Sequence, residues 1–124
     1  YTTFERLAGD AKNESFYFTY AYSVGQTEKS TYLHETLIEK DGSDILPIAS
    51  AFGYDAMNLL IQAMQEADSL EPAAIRDSLE NIKQFDGCVG VIEQPFSKDD
   101  HEAISGDYIY LAIWKDDKIV PVDY

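Results

Sequence analysis

The sequence predicts an α/β chain that supplies pieces to two different sheets. Three observations carry this. Helical periodicity is confined to residues 27–83, the strand-like segments sit at the two ends, and one central helix is apolar around most of its circumference. Residues 21–84 contribute almost no strand for those helices to cover. The layout is that of a fragment whose sheets are completed elsewhere.

The central helix is the stretch from Ile48 to Ala67. At 100° per residue, Asp55, Asn58, Gln62, Gln65 and Glu66 fall within roughly one 100° arc. From Phe52 onward every other position is apolar, glycine or the amphipathic Tyr54. An arc that narrow predicts a helix packed over most of its surface, with the polar stripe as its solvated side. Before it, Thr27 is a candidate N-cap for a helix running to Lys40, in which Tyr32, Leu33, Thr36 and Leu37 recur at helical spacing. Asp41-Gly42-Ser43-Asp44 stops that helix and Pro47 opens the next. A third helix starts after Ser69, with Pro72 in its first turn and Ile75, Leu79 and Ile82 as a single apolar stripe.

The strands are read from density and alternation. Residues 3–8 predict a short helix ended by Gly9, and the aromatic run Ser15–Tyr20 predicts a buried strand. Phe85–Ile92 carries two glycines leading into one short apolar strand. Tyr108–Trp114 and Ile119–Val122 predict a terminal hairpin joined by Lys115-Asp116-Asp117-Lys118, in which Asp117 has to tolerate a positive φ.

Composition excludes several functions. The formal net charge is −14, and the nine basic residues are scattered, so neither nucleic acid nor an anionic membrane surface is an expected partner. No apolar run approaches 18 residues, so no membrane-spanning helix is expected. Hydrophobic residues make up 45% of the chain, which is globular composition rather than disorder. Cys88 stands alone, so no disulfide forms within the chain, and it reads as a small buried hydrophobe.

Catalytic and metal motifs are missing. His34-Glu35 lacks a second histidine at position 38, and Asp99-Asp100-His101-Glu102 lacks the spacing of a calcium loop. Gly87-Cys88-Val89-Gly90 has no following Lys-Ser/Thr to cradle phosphate. No nucleophile–base pair can be nominated, so no enzyme, cofactor or metal is expected. The functional hint is of another kind. Ser50, Phe52 and Tyr54 open the central helix, whose N-terminal N–H groups suit an anionic ligand group. Tyr20 and Tyr22 end the aromatic strand where it enters a connection, at what would be the edge of a cleft.

The order of motifs resembles a known family. Leu7-Ala8-Gly9-Asp10-Ala11 followed by Phe16–Tyr20, Gly53-Tyr54-Asp55-Ala56 continued by Leu59-Leu60 and Ala63, Ile75–Leu79, Phe85–Ile92 and Tyr108–Val122 are similar, in that order, to segments of the type I solute-binding proteins of ABC transporters. The branched-chain amino acid class is the nearest in pattern. Asn13-Glu14-Ser15 and Asp117 depart from the family at turn positions. The resemblance covers nearly the whole chain but only about the last third of a family member.

It implies part of a two-lobed type I periplasmic-binding-protein fold, with Rossmann-like lobes and three hinge crossings. Residues 1–20 would end one lobe segment, 21–84 would belong to the other lobe, 85–95 would form a hinge crossing with Gly87 and Gly90 as its flexible points, and 96–124 would return as the terminal hairpin. Tyr20, Ser50 and Phe52 would line the ligand cleft. The acidic residue that pairs with the ligand's ammonium group in relatives would lie upstream of Tyr1. The implied role is capture of an amino acid, branched-chain-like, or a similar small solute outside the cytoplasm, on the periplasmic or outer face of the membrane, for delivery to an ABC permease. A ligand-sensing domain of the same fold in a signalling protein is the alternative. Exposed sheet edges and apolar helix faces make self-association of such a fragment an expectation as well.

Overall fold

A computed structural model of the chain describes residues 7–9, 17–22, 24–43, 46–115 and 118–122, without the side chains of Lys118 and Ile119. Contacts divide it into two compact units, residues 22–105 and residues 1–21 with 106–124. The expected helix at 3–8 and the hairpin turn at Asp116-Asp117 fall largely outside the described residues.

The larger unit is built on three helices whose ends follow local chemistry. Helix α1 spans Glu28–Asp41. Thr27 caps it, accepting from the Ser30 N–H at 3.0 Å while its own N–H donates to Ser30 Oγ at 3.0 Å. Serine thus takes the place that Glu or Gln usually holds in a reciprocal capping box. Gly42 ends α1 in the left-handed conformation, φ 74°, with its N–H on the Ile38 carbonyl. Helices α2, Pro47–Ala67, and α3, Pro72–Asn81, each begin on a proline, whose missing N–H costs nothing in the first turn. Helices α2 and α3 pack on one another.

After α3 the chain forms a hairpin rather than the one strand expected. Strands β2, Gln84–Gly87, and β3, Gly90–Glu93, pair antiparallel, with only Cys88 and Val89 between them. Phe85 and Ile92 face each other across the ladder, and both are buried. That shared face is what defines two strands, and the glycines flank the turn between them. The whole of 85–95 lies within the larger unit.

In the smaller unit, β1, Tyr17–Tyr20, lies beside β4, Tyr110–Lys115, which also pairs with β5, Lys118–Pro121. Both pairings are antiparallel. Alternation along β4 buries Ala112 and Trp114, and Tyr20, opposite Tyr110, is buried as well.

Two expectations about packing change. The polar arc of α2 is not simply its wet side, because Asp55 is only 7% exposed. Its buried ridge is Ala51, Asp55, Leu59 and Ala63, spaced by four, while Met57 at 56%, Leu60 and Ile61 are open. On α1 the aromatic Tyr32 is 64% exposed, and the only buried residue is Ser30. That helix is anchored through its capped N-terminus rather than through an apolar face.

Candidate functional site

Asp55 is the polar centre of the larger unit. It reaches from the third turn of α2 to the tip of the β2–β3 hairpin, where its carboxylate accepts the Cys88 N–H at 2.7 and 2.8 Å and the Val89 N–H at 3.3 Å. Burying a carboxylate is costly unless donors replace its water, and the turn supplies them. The same turn is also held by the residues at the start of α1. Thr27 Oγ1 donates to the Cys88 carbonyl at 3.0 Å, and Gln26 Nε2 to the Val89 carbonyl at 2.7 Å. Lys29 donates to the Asp86 carbonyl and pairs with its carboxylate at 2.9 Å. Each backbone group of the turn therefore has a side-chain partner from one helix or the other.

The two glycines of the hairpin have local duties here. A Cβ on Gly87 would stand 2.5 Å from Asp55 Oδ2 and 2.9 Å from the Phe85 ring, closer than real contacts. Gly90 has open space but a φ of 117°, which side-chain-bearing residues rarely adopt. The first glycine is a requirement of close approach, the second of conformation.

Cys88 is fully buried. Burial first, then the charge of Asp55 and a hydrogen bond to it, push the thiol up from 9.0 to about 12. It is a protonated donor at neutral pH and not a nucleophile. Because the folded value is raised above the unfolded one, its contribution to stability is complete below pH 9 and is lost as pH rises toward 12. Alkaline unfolding curves should show this, with a Cys88→Ala variant losing less stability across that window than the parent chain.

Asp55 separates two hollows along α2. On one side is a small apolar pocket of about 130 Å³, walled by Phe52, Leu59, Phe85, Ile92, Phe96 and Ile104. On the other is a polar depression of about 320 Å³, where Tyr54, Asn58, Gln62 and Gln65 face Lys29 and Asp86. A cavity near 150 Å³ lined by Leu, Ile and Phe stays dry and takes an apolar guest of roughly benzene size. The pocket at Phe52 is of comparable volume with mostly apolar walls, but it opens to solvent and has Asp55 among its lining residues.

The residues singled out from sequence are distributed unevenly. Phe52 lines the apolar pocket. Ser50 sits two residues earlier, about 160° away around the helix, so the two do not share a wall. Its hydroxyl donates to the Leu46 carbonyl at 3.4 Å. Tyr20 belongs to the smaller unit, at the end of β1. Gly87 and Gly90 flank the clamped turn. Asp55 was read as part of a solvated stripe, and its role was missed. The available signal was a lone acid near the front of an apolar helix, together with a Gly-x-x-Gly hairpin lacking Asn or Asp in its own turn.

The chain superposes on a leucine-binding protein, LivK, from Thermotoga maritima MSB8 with a TM-score of 0.72 and 22% identity, over 98% of this chain and 33% of that one. It superposes on a periplasmic binding protein type 1 from Bordetella pertussis Tohama I with a TM-score of 0.73 and 24% identity, over 98% of this chain and 36% of that one. The chain carries part of the type 1 periplasmic binding protein fold. It spans about a third of the length of these solved structures. No protein-family profile matches the chain, and no curated protein matches it. Both helices that hold the β2–β3 turn, and the hairpin itself, lie within the part of the chain that shares this fold. Among its described residues, no helix is long and apolar enough to cross a membrane.

Proposed function

We propose that the chain is part of an extracytoplasmic solute-binding protein that captures an amino acid with an aliphatic side chain, or a similar small solute, for an ABC permease. The observation that carries this reading is the apolar pocket at Phe52, on a fragment that shares its fold with a leucine-binding protein over 98% of its length. Capture would be by closure of two lobes, the ligand stabilising the closed form through contacts made only there. No step makes or breaks a covalent bond.

In this reading the lobes correspond to the two compact units, with chain crossings near residues 21–22 and 105–106, where the contacts divide. Gly87 and Gly90 then serve the clamped hairpin, and we place the return crossing after it. Phe52 takes the aliphatic group of the solute. Ser50 and Tyr20 contribute to the rim of the cleft in the complete protein.

The test uses the chain itself. Titrating leucine, isoleucine and valine into isotope-labelled protein should produce saturable amide shifts around Phe52, Ile92 and Ile104. A chain spanning a third of its structural neighbours should bind weakly, with Kd of about 1 mM or above. Phe52→Ala should weaken binding by about tenfold, the loss of one buried aromatic contact. Equal shifts with lysine or glutamate, or none with the aliphatic three, would remove the reading.

A further inference from the structure

A third hollow, larger than either beside α2, lies between α3 and the residues that follow β3. It has a volume of about 710 Å³ and is lined by Arg76, Asp77, Glu80, Lys83, Ser97 and Lys98, with Gln94 and Asn81 between them. In a chain with only nine basic residues and a net charge of −14, three of the nine converge here.

The charges in the groove are not equivalent. Glu80 is largely buried, its side chain 12% exposed, and it lies near Arg76 Nε at 3.9 Å and the His101 imidazole Nε2 at 3.7 Å. Asp77 is held by Arg76, whose Nε donates to it at 3.0 Å. Arg76 is thus shared between the two acids. Among the described residues, neither Lys83 nor Lys98 has a carboxylate at ion-pair distance. Counting Arg76, Lys83 and Lys98 against Asp77 and Glu80, the lining carries a formal charge of +1, and the two lysines are the cations in it without a carboxylate partner among the described residues.

The neutral lining adds directed donors. Ser97 Oγ accepts the N–H groups of Asp99 and Asp100 at 3.3 and 3.1 Å, so its own proton remains to be donated. Gln94 is fixed beside the lysines because its N–H bonds the Lys83 carbonyl at 2.8 Å. Its backbone is left-handed, φ 43°, a conformation uncommon for a residue with a side chain. The backbone of Gln94 is therefore tied to that of Lys83.

We propose that this groove binds a small organic carboxylate. One negative charge matches the formal charge of +1 in the lining, and the ammonium groups with the Ser97 hydroxyl form the charge-assisted bonds that a carboxylate accepts. A more highly charged phosphate would meet Asp77 and Glu80 across the groove and is disfavoured. The site is independent of the amino-acid reading above. It shares no residue with the Phe52 pocket, and a ligand without an aliphatic side chain can occupy it.

The experiment titrates sodium acetate into the isotope-labelled chain, with sodium chloride adjusted to hold ionic strength constant. Saturable shifts of the Lys83, Gln94, Ser97 and Lys98 amides are expected, while those around Phe52 stay still. Sodium phosphate should shift them less. Lys83→Gln with Lys98→Gln should weaken acetate by about tenfold or more, and Lys98→Gln alone by less. Both lysines are exposed, so the variants are expected to fold. Shifts that persist in the double variant, that follow ionic strength alone, or that phosphate matches or exceeds would overturn the proposal.

Discussion

Replacing Asp55 with alanine is expected to lower the unfolding free energy by about 2–5 kcal/mol, the range for stranding buried donors. Two backbone N–H groups, of Cys88 and Val89, lose their acceptor inside the protein. A buried carboxylate is itself costly, so its removal returns part of that desolvation. The balance still favours destabilisation, because alanine supplies no acceptor and any water that takes the carboxylate's place must be ordered to do so. Asp55→Asn separates the contributions. One amide oxygen can keep the Oδ2 bonds, while the NH₂ group meets the Cys88 N–H donor to donor, so a smaller loss is expected. A second readout follows from the thiol. With the acid gone, the Cys88 pKa should fall from about 12 toward the ordinary thiol value. Urea unfolding and thiol reactivity report the two effects, and an alanine variant as stable as the parent would show that the turn does not depend on Asp55.

Gly87→Ala should cost about 1–3 kcal/mol, the range for forcing an extra carbon into a closed site. The new Cβ would collide with Asp55 Cγ at 2.8 Å and Oδ2 at 2.5 Å, and neither is the free end of a flexible chain, since that carboxylate is bonded to the turn. Gly90→Ala is the contrast. It meets nothing within 4 Å, and its cost comes from φ 117° alone. The two variants therefore separate on a double background. Shrinking residue 55 in Asp55→Ala should relieve the first in part, the Phe85 contact at 2.9 Å remaining, and leave the second unchanged, so a cycle with Asp55→Ala distinguishes contact from conformation. Stability of Gly87→Ala equal to that of the parent in denaturant would contradict the packing of α2 against the hairpin.

The parts of the fold that were readable from sequence are those decided within a few residues. Thr27, Gly42, Pro47 and Pro72 set helix ends through their own backbone chemistry, and each stands where its residue type predicts. The hairpin was only half readable. Phe85 and Ile92 mark apolar strand positions, but the turn between them carries no Asn-Gly or Asp-Gly. What replaces that local signal is Asp55, 33 residues earlier in the chain, and Thr27, 61 residues away from the carbonyl it reaches. Long-range donors and acceptors leave no periodic trace, so residue 55 was grouped with the amides that share its side of the helix. Tyr32 failed for the opposite reason. Helical spacing shows that residues share a face, not that anything covers it. At the candidate site, Phe52 could be picked out by its place at the front of an apolar helix. Ser50 followed from the same logic, but a step of two residues turns it to another side.

The most direct test of the proposed solute site is a set of nuclear Overhauser contacts between leucine methyl groups and the protein. The account predicts contacts to the Phe52 ring and to the methyls of Ile92 and Ile104, lost in Phe52→Ala. Contacts confined to the open face of α2, at Met57 and Leu60, would contradict it.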